Sequence, residues 1–374
     1  MSVAGTTPRA GRAVDRDAAG GRLPYPVLVA PGLLDHAGSL VVDAAPAHRY
    51  VVISDTAVGP RYADRVAAML PRALRLDVPP GEIHKSRESW ARLTDAMLDA
   101  GCGRDTAVVA VGGGVVGDLA GFVAATFMRG LPVVQMPTTL LAMVDASVGG
   151  KTAVDTPHGK NLVGAFHPPA AVLVDPLVLA TLPRRELVAG LAEALKHGVI
   201  ADAGYFAAVR SSLPELARAD GPDRSGLLAD VVAGSVAIKA TVVAADEREG
   251  GMRKILNFGH TIGHAVEALS GFSLLHGECV AIGMGCEADV AERLGVAVRG
   301  TGAEVRAALG EAGLPTALPE GMRPAAVLAA TRGDKKTRAG AVEYALPERI
   351  GAMAPAGGRW ALPVPDAAVL EALG

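Results

Sequence analysis

The sequence contains few aromatic residues and few cysteines. Aromatic side chains make up 3% of its 374 residues, so we expect a core built mostly from alanine, valine and leucine. The three cysteines, Cys102, Cys279 and Cys286, are odd in number and form no CxxC pair. This pattern argues against a disulfide framework or a cysteine-rich zinc site and favours a reducing compartment.

The sequence also lacks a large excess of charge of either sign. Lys and Arg number 36 against 39 Asp and Glu, which gives a formal net charge of −3. A general nucleic-acid-binding surface would need a basic excess. Uninterrupted apolar runs stay below the roughly 18 residues that a membrane-spanning helix requires. We therefore expect a cytoplasmic protein with neither a nucleic acid nor a membrane as partner.

The N-terminal segment differs from the rest of the chain. Residues 1–21 are rich in Ala, Gly and Arg and have no apolar stretch like that of a signal peptide, so they predict a disordered tail. The remaining length suits about two domains.

Residues 22–184 alternate predicted strands with predicted helices. The strands are expected at residues 50–54, 106–111, 131–136 and 171–174, and the helices at 61–70, 89–100 and 117–125. Strands that are apolar throughout, with helices between them, are typical of a parallel sheet covered on both faces. This region is therefore predicted to be an α/β domain.

Residues 185–374 are predicted to form a second, mostly helical domain. Helices are expected at residues 185–197, 227–245, 260–269 and 278–294. In the first of these, Leu187, Leu191 and Leu195 recur at four-residue spacing, which produces an apolar stripe on one helix face.

Two features at predicted strand ends could bind a nucleotide. Residues 112–118, GGGVVGD, follow a strand and precede a helix, where backbone N–H groups can approach an anion. They match neither the GxGxxG nor the P-loop pattern, so a purely structural turn is equally compatible. Asp55 also follows a strand, where it could hold ribose hydroxyls or simply cap a helix.

A polar stretch between residues 138 and 161 contains Asp145, Lys151, Lys160 and Asn161 among small residues. Lysines beside glycines suit phosphate oxygens, because the backbone can come close and the ammonium supplies charge. The alternative is a solvated loop with ordinary surface lysines.

Histidines in the second half suggest a metal site. His260 and His264 lie four residues apart in HTIGH, and His276 and the helical Glu193 are further candidates. Two histidines and a carboxylate are a common catalytic zinc set, whereas the HExxH motif of zinc proteases is missing. By spacing alone, an HxxxH pair is more often two surface or capping histidines than metal ligands, and spacing does not select among these residues and His197.

Five strings occur in one order: GGGVVGDLAGFVAATFMRG, PTTLLAMVDASVGGKTAVDTPHGKNLVGAFHPP, LAEALKHG, DEREGGMRKILNFGHTIGHAVE and LHGECVAIGM. Together they closely resemble the 3-dehydroquinate synthase family, over about residues 25–357. The resemblance implies a Rossmann-like NAD-binding domain at residues 22–184, an α-helical metal- and substrate-binding domain at 185–374, and an active site in the cleft between them.

The resemblance also implies the reaction and its cofactors. The family converts 3-deoxy-D-arabino-heptulosonate 7-phosphate to 3-dehydroquinate and phosphate in the shikimate pathway. It does so by transient oxidation with NAD⁺, β-elimination of phosphate, re-reduction and aldol closure. The implied cofactors are NAD⁺ and one divalent metal ion, Zn²⁺ or Co²⁺. The resemblance also implies a sugar-phosphate substrate and a homodimer.

Site residues follow from the positions that match the family's motifs. The implied metal ligands are Glu193, His260 and His276. The implied NAD contacts are Asp55, Glu82, Lys85, Gly113, Gly114, Val115, Val116, Gly117, Asp118, Thr138, Thr139, Lys151, Lys160, Leu179, Thr181 and Leu182. The implied substrate and catalytic residues are Asp145, Lys151, Asn161, Lys196, Lys239, Glu249, Arg253, Asn257, His264 and Lys336, with Arg129 reaching the phosphate bound to the neighbouring subunit.

Related functions remain as alternatives. The nearest are the sister cyclases aminodehydroquinate synthase, 2-epi-5-epi-valiolone synthase and 2-deoxy-scyllo-inosose synthase. The latter two use substrates without the C1 carboxylate, whereas this chain matches the family's carboxylate- and phosphate-binding set at Asn161, Lys239, Arg253, His264 and Lys336. More distant alternatives are a metal-dependent polyol dehydrogenase, which would release NADH, and an inactive NAD-binding protein.

Overall fold

The computed structural model describes most of the chain. It covers residues 23–216, 224–271, 273–332, 342–355 and 357–374, with the backbone alone of residues 12, 13, 337, 338 and 341. Lys336, which is predicted to contact substrate, lies outside the described residues, as does most of the predicted tail. The chain divides into one unit of Met1–Leu182 with Leu228–Ala237 and another of Pro183–Leu227 with Ile238–Gly374.

A parallel sheet forms the centre of the first unit. The strands of this unit are β1 (Arg12–Ala13), β2 (Val27–Val29), β3 (Arg49–Asp55), β4 (Ala73–Val78), β5 (Thr106–Gly112), β6 (Val133–Pro137), β7 (Lys151–Thr156), β8 (Gly159–Phe166) and β9 (Ala171–Val174). The sheet order is β1-β2-β9-β6-β5-β3-β4. Only β1 runs antiparallel to its neighbour, while β7 and β8 pair with each other as a separate hairpin.

Helices accompany this sheet. They are α1 (Ala37–Ala44), α2 (Asp64–Ala68), α3 (Arg87–Asp99) and α4 (Gly114–Thr126). Every residue of β5 is buried, and Val108 and Ala110 join a core cluster with apolar residues of α4 such as Leu119 and Val123. A strand that is buried on both faces needs apolar residues at every position, which explains the unbroken apolar run in the sequence.

The strand order also places a ligand site. β4 lies on one side of β3 and β5 lies on the other, so the chain reverses direction across the sheet between β3 and β5. In open parallel sheets, ligands bind outside the carboxyl ends of the strands at such a point. Here those ends carry Asp55 and the glycine-rich stretch that opens α4.

The second unit is mostly helical, which confirms the predicted fold class. Its helices are α5 (Arg184–Ala201), α6 (Ala203–Leu216), α7 (Arg224–Ala245), α8 (His260–Leu269), α9 (His276–Arg293), α10 (Thr301–Glu311), α11 (Pro324–Thr331) and α12 (Asp366–Leu373), with α7 divided between the units. Its short strands are β10 (Thr337–Arg338), β11 (Ala341–Tyr344), β12 (Pro347–Arg349), β13 (Ala352–Met353) and β14 (Leu362–Pro363).

No segment was expected to have the composition of a membrane-spanning helix, but α7 has that composition. It has 22 residues and a mean hydropathy of 1.8 over its most apolar window, so it is long and apolar enough by composition alone. Half of that window is buried inside the protein. A core helix has the same composition, and α7 therefore gives only weak evidence for a membrane.

Candidate metal and nucleotide sites

Three residues from three helices of the second unit form a candidate metal group. Glu193 lies in the middle of α5, and His260 and His276 are the first residues of α8 and α9. The Nε2 atoms of the two histidines lie 3.5 and 3.8 Å from Oε1 of the fully buried Glu193. All three offer ligand atoms within 4.8 Å of one another.

This geometry fits a divalent metal ion. Zinc–ligand distances of about 2.1 Å with tetrahedral angles place ligand atoms roughly 3.4 Å apart, close to the two separations seen here. Glu193 Oε1 receives no hydrogen bond from any residue that the structure describes. A buried carboxylate oxygen facing two imidazole nitrogens is therefore suited to share a cation with them.

The far sides of both rings are held in the manner of metal-binding histidines. His260 Nδ1 lies 3.2 Å from the carbonyl oxygen of Phe258, and His276 Nδ1 lies 3.6 Å from a carboxylate oxygen of Glu267. A proton on Nδ1 would satisfy these acceptors and leave each Nε2 lone pair directed towards Glu193. Glu267 was not identified from the sequence, where it is one more acid on a helix.

His264 lies beside this group. Its ring centroid is 5.3 Å from that of His260 and 5.9 Å from that of His276. His264, Glu267 and His276 also satisfy the distance criterion for a metal group. In that alternative the nitrogen of His276 that faces Glu267 would be the ligand atom. Because His276 belongs to both groups, replacing it would not show which group binds the metal.

Buried cations accompany the candidate ligands. Lys196, one helical turn after Glu193, is 1% exposed, and its Nζ contacts Glu193 Oε2 closely. Lys239 and Arg253 are also buried. Buried lysine and arginine side chains are uncommon, and all three of these residues are predicted to bind substrate.

A loop between α7 and α8 carries three more of the predicted residues. Asp246 accepts hydrogen bonds from the backbone N–H groups of Gly250, Gly251 and Arg253, at 3.0, 2.6 and 3.0 Å. Burial acts to raise the pKa of Asp246, but these hydrogen bonds outweigh it and the pKa lies below its ordinary value. Sequence reasoning missed Asp246, whose Asp-x-x-x-Gly-Gly context is the available signal for such a turn.

Glu249 lies in the same loop in a left-handed conformation, with φ +61°. It accepts a 2.7 Å hydrogen bond from Asn257 Nδ2. Such a backbone conformation is uncommon for a residue other than glycine and marks a position where the fold imposes the geometry. The structure thus brings Glu249 and Asn257, both predicted to contact substrate, into direct contact.

In the first unit, the glycine-rich stretch lies where a nucleotide phosphate would be expected. Gly113 is the N-cap of α4, so Val115 to Asp118 lie in its first turns. A Cβ on Gly113 would lie 3.1 Å from Thr139 Cγ2, which shows the close approach of these two segments. Thr138 Oγ1 is buried and has no hydrogen-bond partner among the described residues, so it could receive a ligand's hydrogen bond.

Four of the predicted NAD contacts form one charged cluster. Lys85 Nζ lies 2.6 Å from Asp118 and 4.0 Å from Glu82, and Lys160 Nζ lies 3.2 Å from Glu82. Burial acts to lower the pKa of Lys85, but Asp118 and Glu82 raise it above its ordinary value, so this amine is charged.

Other predicted NAD contacts have structural roles that are visible here. Asp55 Oδ1 accepts hydrogen bonds from the backbone N–H groups of Ala57 and Val58, so it stabilises the turn that follows β3. Thr181 Oγ1 lies 2.7 Å from Tyr62 Oη. Leu179 is fully buried, and the backbone of Leu182 donates to it.

Asp175 organises the chain near these residues. Its carboxylate accepts hydrogen bonds from the N–H groups of Gly32, Leu34 and Leu177. With Tyr62 and Thr138 it lines a narrow crevice at the carboxyl ends of β5, β6 and β9. Neither Asp175 nor Tyr62 was identified from the sequence.

The remaining predicted substrate residues of the first unit lie on turns or at the hairpin. Asp145 lies in a helical turn, Lys151 begins β7 and Asn161 is in β8. Asn161 has φ +54° and donates its backbone N–H to Asp155. Arg129 has φ +70°, directly after Met128 at φ +51°. The polar stretch is therefore partly a β-hairpin, which sequence reasoning did not predict.

Comparison with known proteins identifies the family. Residues 75–189 match the 3-dehydroquinate synthase N-terminal family model, and residues 190–337 match the C-terminal model. The 3-dehydroquinate synthase of Symbiobacterium thermophilum is 49% identical over 334 residues, covering 87% of this chain and 92% of the relative. The enzyme of Nostoc punctiforme is 45% identical, with 87% and 91% covered.

Solved structures agree in fold. A 2-deoxy-scyllo-inosose synthase, complexed with carbaglucose-6-phosphate, NAD⁺ and Co²⁺, superimposes with a TM-score of 0.85 at 25% identity, covering 98% of this chain and 99% of that one. The 2-epi-5-epi-valiolone synthase of Streptomyces hygroscopicus, with NAD⁺ and Zn²⁺, gives 0.83 at 29%, covering 96% and 98%. On the strength of both family models and of relatives matched over most of their length, this chain belongs to the 3-dehydroquinate synthase family.

Proposed function

We propose that this chain converts 3-deoxy-D-arabino-heptulosonate 7-phosphate to 3-dehydroquinate and phosphate, as a carbon–oxygen lyase of the shikimate pathway. The observation that carries the proposal is the buried Glu193, which faces His260 and His276 on one oxygen and Lys196 on the other. This group occurs in a chain that is 49% identical to a 3-dehydroquinate synthase.

The cofactors are NAD⁺ and one divalent metal ion. Glu193, His260 and His276 would hold the metal, and the residues around the start of α4 and the Lys85 cluster would hold NAD⁺. When bound, NAD⁺ supplies a reversible hydride acceptor and the metal supplies a Lewis acid. Zinc is the proposed metal, because two imidazoles and one carboxylate form a common open zinc site. The solved relatives hold NAD⁺ with Co²⁺ or with Zn²⁺.

The chain's own residues bind and orient the substrate. The planar guanidinium of Arg253 can bind a carboxylate through two parallel hydrogen bonds, which suits the C1 carboxylate of the proposed substrate. The hydrogen bond to Glu249 fixes the side chain of Asn257. Lys151 and Asn161 supply a cation and an amide for the departing phosphate.

The decisive experiment measures phosphate release from 3-deoxy-D-arabino-heptulosonate 7-phosphate with catalytic amounts of NAD⁺ and Zn²⁺. We expect one phosphate per dehydroquinate, no net NADH, and loss of activity in EDTA that added Zn²⁺ restores. Steady accumulation of NADH would instead indicate a dehydrogenase.

A sister cyclase activity is the second candidate, because the solved relatives at 25% and 29% identity are such enzymes. Sedoheptulose 7-phosphate, which lacks the carboxylate, is the matched control substrate. Turnover of this sugar together with no turnover of the carboxylate substrate would overturn the proposal. The amino analogue of the carboxylate substrate tests aminodehydroquinate synthase in the same assay.

We further propose a cytoplasmic homodimer. Strand β8 exposes the apolar side chains of Leu162, Val163 and Phe166, a combination that favours burial against another surface. The left-handed backbone of Arg129 supports a fixed functional position for that side chain. Light scattering coupled to gel filtration should give twice the chain mass. A monomer would contradict the proposed dimer but not the proposed reaction.

A further inference from the structure

Helix α8, which carries His260, begins at a position that excludes a capping side chain. Its N-cap is Gly259, with φ +77°. A Cβ at this position would lie 2.5 Å from Met284 Cγ and 2.8 Å from the carbonyl oxygen of Val280. Both the backbone conformation and the lack of space therefore exclude the Ser, Thr, Asp or Asn that usually caps a helix.

A carboxylate from another helix takes over this role. Glu287 of α9 is fully buried and accepts hydrogen bonds from the N–H groups of Gly259 at 2.7 Å and Ile262 at 3.1 Å. These are the N-cap and N3 donors that a capping box satisfies with two local side chains. Gly259 and Ile262 have no polar side chain, so one distant carboxylate satisfies both donors.

We propose that Glu287 is a positioning residue for the metal centre. His260 is the first residue of α8 and lies between the two N–H groups that Glu287 binds. Its Nδ1 lies 3.2 Å from the carbonyl of Phe258, just before the capped turn. By fixing this turn, Glu287 fixes the direction in which His260 presents Nε2 to Glu193. The inference rests on the metal site proposed above.

The same contact also fixes α8 against α9, which begins with the second histidine ligand. A Cβ on Gly283 would lie 1.9 Å from the carbonyl oxygen of Gly259, so the two backbones are in direct contact there. Glu287 is on α9 and bonds α8, and it therefore ties the helix of His276 to the helix of His260. Metal ligands must be held within about 0.5 Å of their working geometry.

The chain offers a closely matched control. Helix α10 also begins at a left-handed glycine, Gly300, with φ +96°. Glu292, likewise on α9, accepts hydrogen bonds from Gly300 at 3.0 Å and Gly302 at 2.6 Å. Glu292 is less buried than Glu287 and binds the N-cap and N2 donors, but it is also a carboxylate of α9 that caps another helix, and α10 carries none of the predicted site residues.

The experiment compares Glu287→Gln and Glu292→Gln in the full chain. Zinc affinity is measured by competition with a chromogenic chelator, the Co²⁺ site by its visible absorption spectrum, and folding by circular dichroism and thermal unfolding. For Glu287→Gln we expect zinc binding at least about tenfold weaker than in the wild type, as for other residues that orient ligands, and an altered Co²⁺ spectrum. Glu292→Gln should lower the melting temperature yet keep wild-type zinc affinity and spectrum.

Several results would overturn the proposal. Wild-type zinc affinity and spectrum in Glu287→Gln would do so, and so would an equal loss in Glu292→Gln, because the effect would then be general destabilisation. If Glu287→Gln does not fold, Glu287→Asp is used instead, because it retains the charge but shortens the side chain. Wild-type zinc affinity and spectrum in Glu287→Asp, or an equal loss in Glu292→Gln, would then overturn the proposal. A wild-type chain that binds neither zinc nor cobalt would instead contradict the proposed metal site itself.

Discussion

The two units each contain a buried charged cluster, and the clusters are balanced in different ways. In the first unit, Lys85 and Lys160 pair with Asp118 and Glu82, so each carboxylate has a cationic partner. In the second unit, Glu193 has Lys196 at one oxygen, while its other oxygen faces the Nε2 atoms of His260 and His276. Neutral imidazole nitrogens facing a carboxylate are electron-pair donors, not counter-charges.

The difference indicates what each cluster requires. In the first cluster the side chains balance one another's charges without a ligand, so the cluster can hold a loop and a helix in place to receive a nucleotide. The second gathers three electron-pair donors at one point, an arrangement that is stable only when a cation or a proton is shared among them. Loss of a lysine should therefore weaken stability and NAD⁺ binding at the first cluster. Loss of a metal ligand should reduce zinc binding and turnover at the second.

The largest expected effect tests the second cluster. Glu193→Gln should abolish stoichiometric zinc binding and reduce turnover by at least about 100-fold, because Lewis-acid stabilisation is worth several kcal/mol. Elemental analysis and phosphate release measure the two effects. His264→Asn is the control, and it should keep zinc while lowering turnover. If His264→Asn loses zinc and Glu193→Gln retains it, the ligands are His264, Glu267 and His276.

A smaller effect is expected in the first cluster. Lys85→Met removes the charge-assisted hydrogen bond to Asp118, and losing such a bond costs about 1.5–3 kcal/mol. We expect a lower melting temperature and weaker NAD⁺ binding by titration calorimetry, with zinc content unchanged. Because the folded pKa of Lys85 is raised, its contribution is constant below pH 10.5 and is lost only as the pH rises through the folded value.

Lys254→Met is the control for that variant. Lys254 pairs with Glu343 at 2.7 Å in the second unit, which contains none of the predicted NAD contacts. It should lower stability without changing NAD⁺ affinity. Equal losses of NAD⁺ affinity in the two variants would contradict a specific role for the Lys85 cluster.

The smallest effect concerns the loop that carries Glu249 and Arg253. The pKa of Asp246 is lower in the folded chain than its ordinary value of 3.8, so its carboxylate stabilises the fold above that pH. This contribution is lost as the pH falls through the folded pKa. Asp246→Asn should therefore raise KM and reduce urea stability at pH 6, with a gap from the wild type that narrows towards pH 3. A constant gap would mean that the side chain acts by shape alone.

Local patterns predicted the central strands of the sheet and several of the longer helices. The apolar strands were expected where β3, β5, β6 and β9 occur, because burial on both faces leaves an unbroken apolar run. Helix α8 has the predicted bounds. The edge strand β4 was missed, because its alternating Arg75 and Asp77 resemble a loop and its conformation depends on pairing with β3.

The candidate site was less accessible from local pattern. The HxxxH spacing places His260 and His264 on one helix but does not select the metal ligands, whereas the structure groups His260 with His276 around Glu193. Only the family resemblance predicted that set. Glu267 and Glu287 face ring or backbone N–H groups that only the packing of the helices brings close, so no spacing rule marks them. Asp246 has a local signal, the Asp-x-x-x-Gly-Gly context.

The sequence by itself determined the α/β and helical halves, the glycine-rich turn before α4 and the family, because these depend on local periodicity and on long ordered motifs. The tertiary structure decided which histidine nitrogens face Glu193 and which carboxylate caps α8. Those relations join residues on α5, α8 and α9 that are 25 or more positions apart, and only the packing of the helices brings them within bonding distance.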